Sequence, residues 1–387
     1  MIRCTAARVD LAAIRHNFHA VADYLAAEVA INRGAGSGPA SSPGILAVVK
    51  ANAYGHGAVA VARALREAGA SWLAVADIEE GIELRDSGDR GRILVFGALS
   101  VSDVGGVFTH DLTPTVSSPG AAQALGAAAR ARGVRLACHL KIDTGLNRLG
   151  FRHDNLVRTL PSVVGDPGLD VEAIATHYAT ADDPEHPLFE AQRQRFAAAV
   201  TAVVTLGARP RLVHAANSAA CLRDSRTWHD LVRPGLLLYG VVPPPMAATL
   251  PLIPAMTLTS RVVAVKGVRT GETVGYGARH VAAAPETLAV VPAGYADGLD
   301  RRLEGRGAVL VRGRRAPIVG AVSMDMLTVD VTGIDGVSTG DEVVFLGRQG
   351  EAPWQAIDAR EMAAWIGTIP YEVLCRLGAR VERHYDR

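Results

Sequence analysis

The sequence predicts an α/β chain: an eight-stranded (β/α)8 TIM-type barrel followed by a mostly antiparallel β domain. Three observations predict it. Short apolar runs rich in β-formers alternate with longer alanine-rich segments, a proline-rich stretch follows, and beyond it the pattern becomes strict alternation broken by Gly, Pro and Asp. A length of 387 residues favours two domains, expected at 1–243 and 244–387, with the first ~10 residues free to pack on the second.

The apolar runs are ILAVV (45–49), WLAVA (72–76), RILVFG (92–97), LTPTVS (112–117), VRLACHLKI (134–142), DVEAIAT (170–176), RLVHA (211–215) and HDLVR (229–233). Between them, AVAVARALREAG, PGAAQALGAAARARG and EAQRQRFAAAVTAVVTLG repeat apolar residues at three and four and close on glycine, as amphipathic helices do. Eight such units suit a closed barrel with its chemistry at the C-terminal strand ends; a doubly wound open sheet is the alternative. The uncharged stretch 234–260 is long enough for a membrane span, but Pro243, Pro244, Pro245, Pro251 and Pro254 make it a linker. TLTSRVVAVKGV, ETLAVVPAG, AVLVRGRRAPIVGAVSMDMLTVDVT and DEVVFLG then read as antiparallel strands, IDAREMAAWIGT as a closing helix, and 32–44 as a flexible loop.

Forty Lys plus Arg against 39 Asp plus Glu leave a formal charge of +1, so no net field favours nucleic acid or an anionic membrane, and a small molecule is the default partner. Cys4, Cys138, Cys221 and Cys375 lie far apart, which disfavours a zinc site or a disulfide framework and fits a reducing, cytoplasmic compartment. The start, MIRCTAARVD, lacks the apolar core of a signal peptide. No metal is expected.

The residues that follow the strand ends carry the chemistry. They are Lys50 and Tyr54; Lys141, Asp143 and Arg148; His177; Asn217 and Ser218; Arg233 and Gly235. Singly, each has an ordinary explanation: a strand-end lysine snorkels, a histidine is a rim residue, an arginine pairs with a carboxylate. Gathered at one barrel mouth they offer a buried amine, a phosphate-type site and two arginines. A desolvated lysine without metal ligands suits a Schiff base, and Ser218 with the amides near Gly235 suits a phosphate. Pyridoxal phosphate demands both.

In order along the chain, AVVKANAYGHG, KIDTGLNRLG, THYATAD, HAANSAA, VRPGLLLYG, GETVGYG, PAGYADG, AVSMDM and IPYEV resemble the successive motifs of the alanine racemases, pyridoxal-phosphate enzymes with a barrel and a β domain. The resemblance implies that Lys50 carries the cofactor and serves as base for the D-amino acid. Tyr276 of the partner subunit would be the opposite base, serving the L-enantiomer, in a head-to-tail homodimer with shared active sites. Two bases on opposite faces permit inversion, whereas one returns the proton mostly to the face it left.

It further implies that Arg233 faces the pyridine nitrogen, where a carboxylate is more usual, which leaves the ring a weaker electron sink and disfavours transamination. His177 would orient Arg233. Tyr54, Ser218, Gly235, Leu236 and Tyr371 would hold the phosphate, with Asn217 beside it. Arg148 and the Met324 backbone amide would bind the substrate carboxylate, and Tyr295, Met324 and Asp325 of the partner subunit would narrow the entrance. Lys141 matches a lysine often carbamylated in the family, which would fix Arg148; the alternative is an ordinary Lys141–Asp143 pair. Two departures from the family pattern, a longer 32–44 loop and Leu146-Asn147 before Arg148, touch no catalytic role. The implied function is a cytoplasmic alanine racemase supplying D-alanine for peptidoglycan. The alternatives are a racemase of another amino acid, such as serine or one of broad specificity, a related barrel decarboxylase, and a pyridoxal-phosphate-binding module without racemase activity.

Overall fold

The computed structural model describes residues 4–34, 41–97, 104–247 and 249–386. Eight parallel strands form the first unit: Gly44–Val48, Trp72–Val75, Arg92–Val95, Thr113–Val116, Leu136–Asp143, Leu169–Ala175, Leu212–Asn217 and Leu231–Arg233. Each pairs with the next, and Leu231–Arg233 returns to Gly44–Val48 with Leu231 opposite Gly44, so the sheet closes into a barrel. Closure rules out the open-sheet alternative. These strands lie within a few residues of the apolar runs because a parallel strand buried on both faces needs an unbroken apolar sequence. Ile45, Leu46, Ala47 and Val48, for example, are all buried.

The second unit is a ten-stranded, mostly antiparallel sheet running from Met256–Arg261 to Glu382–Asp386. It also takes in Ala6–Asp10, which lies antiparallel to Met256–Arg261 and parallel to Glu382–Asp386. The 234–260 linker is shorter than expected: Leu236–Tyr239 forms a 3-10 turn, and the first strand of the β sheet already begins at Met256. Asn17, fully buried on the helix Leu11–Gly34, ties this passage to the barrel. Its side-chain amide donates to Leu238 O (3.1 Å) and Ile253 O (2.8 Å), and its oxygen accepts from the Ile253 N–H (2.8 Å). The closing helix Ala359–Ile366 starts at Asp358, whose carboxylate accepts from the N–H groups of Arg360 and Glu361. Part of the 32–44 loop lies outside the described residues, and the helix Leu11–Gly34 runs into its start.

Candidate active site at the barrel mouth

Lys50 stands just beyond the strand Gly44–Val48, at the head of an unusual turn. Ala51, Asn52, Ala53 and Tyr54 have φ of 53°, 53°, 52° and 52°, and Gly55 follows at 79°. Each left-handed residue with a side chain costs roughly 1–2 kcal/mol, so the surroundings must hold the turn in place. Glu80 does so with both carboxylate oxygens, accepting from the N–H of Ala51 (2.6 Å) and of Ala76 (2.7 Å). Asn52 Oδ1 accepts from the Ala58 N–H (2.7 Å), and the His56 ring, through Nδ1–H, donates to Tyr54 O (2.9 Å). The β domain contributes directly: Arg383 Nε–H donates to Gly55 O (2.7 Å), and a Cβ on Gly55 would lie 2.2 Å from Leu374 O. Burial, with Arg148 nearby, lowers the Lys50 amine below its ordinary pKa.

Arg233, fully desolvated at the end of Leu231–Arg233, is held by neutral acceptors alone. It donates to Thr176 O (2.8 Å), Ala215 O (2.8 Å), His214 Nδ1 (2.9 Å) and His177 Nδ1 (3.2 Å). Burial brings its pKa down to about 10. Because an arginine can only donate, these bonds fix the tautomers behind it. His214 keeps its lone pair on Nδ1 and its proton on Nε2, which donates to His139 Nδ1 (2.9 Å). The His139 proton is then left on Nε2, buried and without an acceptor among the described residues. Burial lowers His139 to about 3 and holds His177 and His214 well below the usual imidazole range.

On the next wall, Gly235 N–H donates to Ser218 Oγ (2.9 Å), and a Cβ at Gly235 would lie 2.3 Å from Tyr54 Oη. Only glycine allows that approach. The Tyr54 ring stacks on Tyr239 at 4.8 Å and leans towards Tyr371 at 5.7 Å, while Tyr239 Oη–H donates to Val48 O (2.9 Å). Asn217 Oδ1 accepts from the Ala220 N–H (2.9 Å) and so starts the turn that presents Ser218.

Opposite stands Lys141, which has no hydrogen-bond or ion-pair partner among the described residues. Burial, reinforced by Arg233 and Arg148, lowers its amine well below the ordinary range. The ordinary pairing with Asp143 does not form: Asp143 Oδ1 accepts instead from the N–H of Gly145 (2.9 Å) and Asn147 (3.1 Å), shaping the turn that carries Arg148.

One cavity of about 480 Å³ collects Lys50, Tyr54, Lys141, Arg148, His177, Asn217, Ser218, Arg233 and Gly235 together with Tyr371; Asp143 and the fully buried Leu236 do not line it. Phe96, Thr115, His214 and Ile369 also line it, although the sequence had not singled them out. Tyr276, Tyr295, Met324 and Asp325 do not reach it. They lie on the β domain, with Tyr276 77%, Tyr295 43% and Met324 52% exposed, and Asp325 pairs with Arg380 (2.7 Å). Among the described residues, no three His, Cys, Asp or Glu side chains cluster as a metal site, and no helix is long and apolar enough to cross a membrane.

Comparison with known proteins agrees with this architecture. Residues 9–243 match the family model for the alanine racemase N-terminal domain and 255–385 that for the alanine racemase C-terminal domain. The alanine racemase of Symbiobacterium thermophilum is 40% identical over 385 residues, covering 99% of this chain and 97% of that protein. The crystal structure of alanine racemase from D-cycloserine-producing Streptomyces lavendulae superposes with a TM-score of 0.91 at 37% identity, covering 100% of this chain and 97% of that one. Alanine racemase from Bartonella henselae with covalently bound pyridoxal phosphate gives 0.85 at 29% identity, covering 99% of both chains. A closed barrel with a β domain and an amine-bearing mouth defines the class, an amino-acid racemase among the isomerases. Within that class the chain belongs to the alanine racemase family.

Two measurements test this geometry. Replacing Ala51 by Gly relieves one left-handed residue and should leave stability equal or raise it by up to about 1 kcal/mol; a clear loss in thermal melting would mean that Ala51 is not left-handed. His56, lowered to about 4 by burial, and His139 stay neutral in the fold but protonate near 6.5 when unfolded. Their contribution is therefore complete above pH 6.5 and lost as pH falls below it, by about 1.4 kcal/mol per pH unit for each ring. His139→Leu should flatten the loss of stability between pH 6.5 and 5.5 by about 1 kcal/mol, since the unfolded ring is only partly protonated across that interval, and an unchanged slope would contradict the assignment.

Proposed function

We propose that the protein racemises alanine with pyridoxal 5'-phosphate, using two opposed bases drawn from two chains. The carrying observation is the charge imbalance of the cavity: Lys50, Lys141, Arg148 and Arg233 line it, and none has a carboxylate ion-pair partner among the described residues. Buried Arg233 and half-buried Lys50 and Lys141, with the exposed Arg148 at the rim beside them, favour anionic ligands when no counter-ion is present, and a phosphate ester together with an amino-acid carboxylate would supply the charge. The residues fit the cofactor. Ser218, Gly235, Tyr54 and Tyr371 would hold its phosphate with Asn217 and Leu236 behind them, Lys50 its carbonyl end, and His177 and Arg233 its ring. The covalent pyridoxal phosphate of the Bartonella henselae relative supports this. When bound, the cofactor draws electron density from the substrate Cα and acidifies its proton.

The chain's own groups do the rest. Lys50 Nζ, its pKa lowered by burial, takes or returns the α-proton on one face, and Tyr276 Oη of the partner subunit does so on the other. Arg148 and the N–H of Met324 of the partner subunit bind the carboxylate, while Tyr295 and Asp325 of the partner subunit narrow the approach. The exposure of Tyr276, Tyr295 and Met324 on a single chain supports a homodimer that covers them. Arg233 can only donate, so it leaves the ring nitrogen unprotonated and restrains transamination. The proton-poor Lys141 amine suits reaction with carbon dioxide to a carbamate that would hold Arg148. Residues 1–243 and 244–387 are the working units, and the activity belongs in the cytoplasm, supplying D-alanine for peptidoglycan.

Holoprotein should show an absorption band that borohydride removes, leaving a cofactor adduct on Lys50; protein unable to take up the cofactor refutes the reading. Chiral chromatography over a panel of amino acids should find alanine the best substrate. Tyr276→Phe should slow L-to-D conversion by roughly a hundredfold or more while D-alanine exchanges its α-proton with far less loss. Equal losses would contradict two bases. Mixing the inactive Lys50→Ala and Tyr276→Phe chains should restore roughly a quarter of the activity, since half the dimers are mixed and each has one intact site. No recovery would mean that the sites are not shared. Carbon-13 NMR in labelled bicarbonate should show a carbamate signal that Lys141→Arg removes.

A further inference from the structure

Gln192 lies on the outer helix Leu188–Thr205, is fully buried, and hydrogen-bonds through its amide oxygen and both of its N–H groups. Its Oε1 accepts from the Ala179 N–H (2.8 Å), and its Nε2 donates both to His177 O (3.1 Å) and to Thr144 Oγ1 (3.1 Å). The amide can sit only one way round, since an N–H can only donate and a carbonyl only accept. The order continues inward. Having accepted from Gln192, Thr144 gives its own proton to Thr176 Oγ1 (2.8 Å), and Thr176 gives its proton to Ile142 O (2.9 Å). Thr176 O in turn accepts from Arg233 Nη2 (2.8 Å). Helix Leu188–Thr205 adds a second clasp, Arg195 Nη1 donating to Thr144 O (2.9 Å).

Two mouth segments otherwise separate in sequence thus meet on one side chain. One carries Lys141 and Arg148; the other carries His177, which with Thr176 holds Arg233. We infer that Gln192 is a positioning residue: its amide sets the register between the segment that would grip the substrate carboxylate and the segment that would grip the cofactor ring. This rests on the function proposed above. The reason is directional. A chain of bonds from Gln192 through Thr144 and Thr176 to Ile142 has a single sense, and without the amide's two N–H groups Thr144 loses its donor and is free to turn its own proton outward. His177 O would then be left buried without a donor, which favours a shifted backbone at the ring-binding residue.

Two variants separate positioning from simple loss of structure. Gln192→Leu keeps the volume and removes the bonds; it should remain folded while KM for alanine and the dissociation constant for pyridoxal phosphate both rise about tenfold. Gln192→Glu adds a pH signature. Protonated, its carboxyl still accepts from Ala179 and donates once; ionised, it donates nothing and faces His177 O. The ratio of its cofactor dissociation constant to that of the unmodified protein should therefore climb with pH between 5.5 and 8.5 or so. A third reading needs no cofactor: in apoprotein, Gln192→Leu should speed hydrogen exchange at the Ala179 amide and along residues 144–148. Unchanged KM, cofactor affinity and exchange in both variants would overturn the inference, and so would a pH-independent loss in Gln192→Glu. Should the unmodified protein neither take up cofactor nor racemise alanine, the function proposed above fails, and the exchange measurement alone decides for or against Gln192.

Discussion

The left-handed turn from Ala51 to Gly55 is the constraint on which the rest of the site depends. It aims Lys50 into the mouth and lays Tyr54 against Gly235, and no sequence of L-residues adopts it willingly. Four side-chain-bearing residues at roughly 1–2 kcal/mol each make a large sum against a net stability of 5–15 kcal/mol. Beside Asn52 and His56, what offsets it comes from outside the turn: Glu80 from the next βα unit and Arg383 from the β domain, where Leu374 O also comes close to Gly55. The β domain is therefore part of the lysine's mounting as well as a separate folding unit. A barrel alone would have nothing opposite Gly55.

The same desolvation that opposes charge at the mouth prepares it for chemistry. Lys50, Lys141, His177 and Arg233 are all shifted towards their neutral forms, chiefly by burial. In a site kept only for stability these groups would be paired or replaced by apolar ones. Lysine occurs only at 50, 141 and 266, every other fixed cation being arginine. Arginine cannot supply a neutral nitrogen near neutral pH, so two of the three lysines, Lys50 and Lys141, line the mouth with a chemistry that arginine there would lack.

Most of the barrel was legible in the sequence because buried parallel strands are written as continuous apolar runs and their helices as a three-and-four repeat. The mouth was legible by adjacency, since each barrel residue named there lies at, or a few residues beyond, the C-terminal end of a strand. What escaped reading depends on distant partners. KANAY is two alanines among helix-tolerant residues, and only Gly55 and Gly57 hint that the turn has the other hand. Ala6–Asp10 is too short to announce a strand and acquires one from neighbours some 250 and 376 residues away. His214 sits within a strand whose alternation hides its role, and Gln192 lies in EAQRQRF, where polar residues look like a solvated face. The Lys141–Asp143 alternative followed from closeness in sequence, but backbone amides won the carboxylate.

The placement of Ala6–Asp10 between Met256–Arg261 and Glu382–Asp386 has a consequence for the order of events during synthesis. Both of its partners leave the ribosome long after it, so the strand waits unpaired while the eight barrel strands between them are made and close. The barrel can form its core in that interval, but the β sheet cannot be completed until Glu382–Asp386 has been made. Arg383 reaches Gly55 from that same last strand, so the mounting of Lys50 is finished only then. A nascent chain can thus hold a folded barrel well before it holds Lys50 correctly aimed.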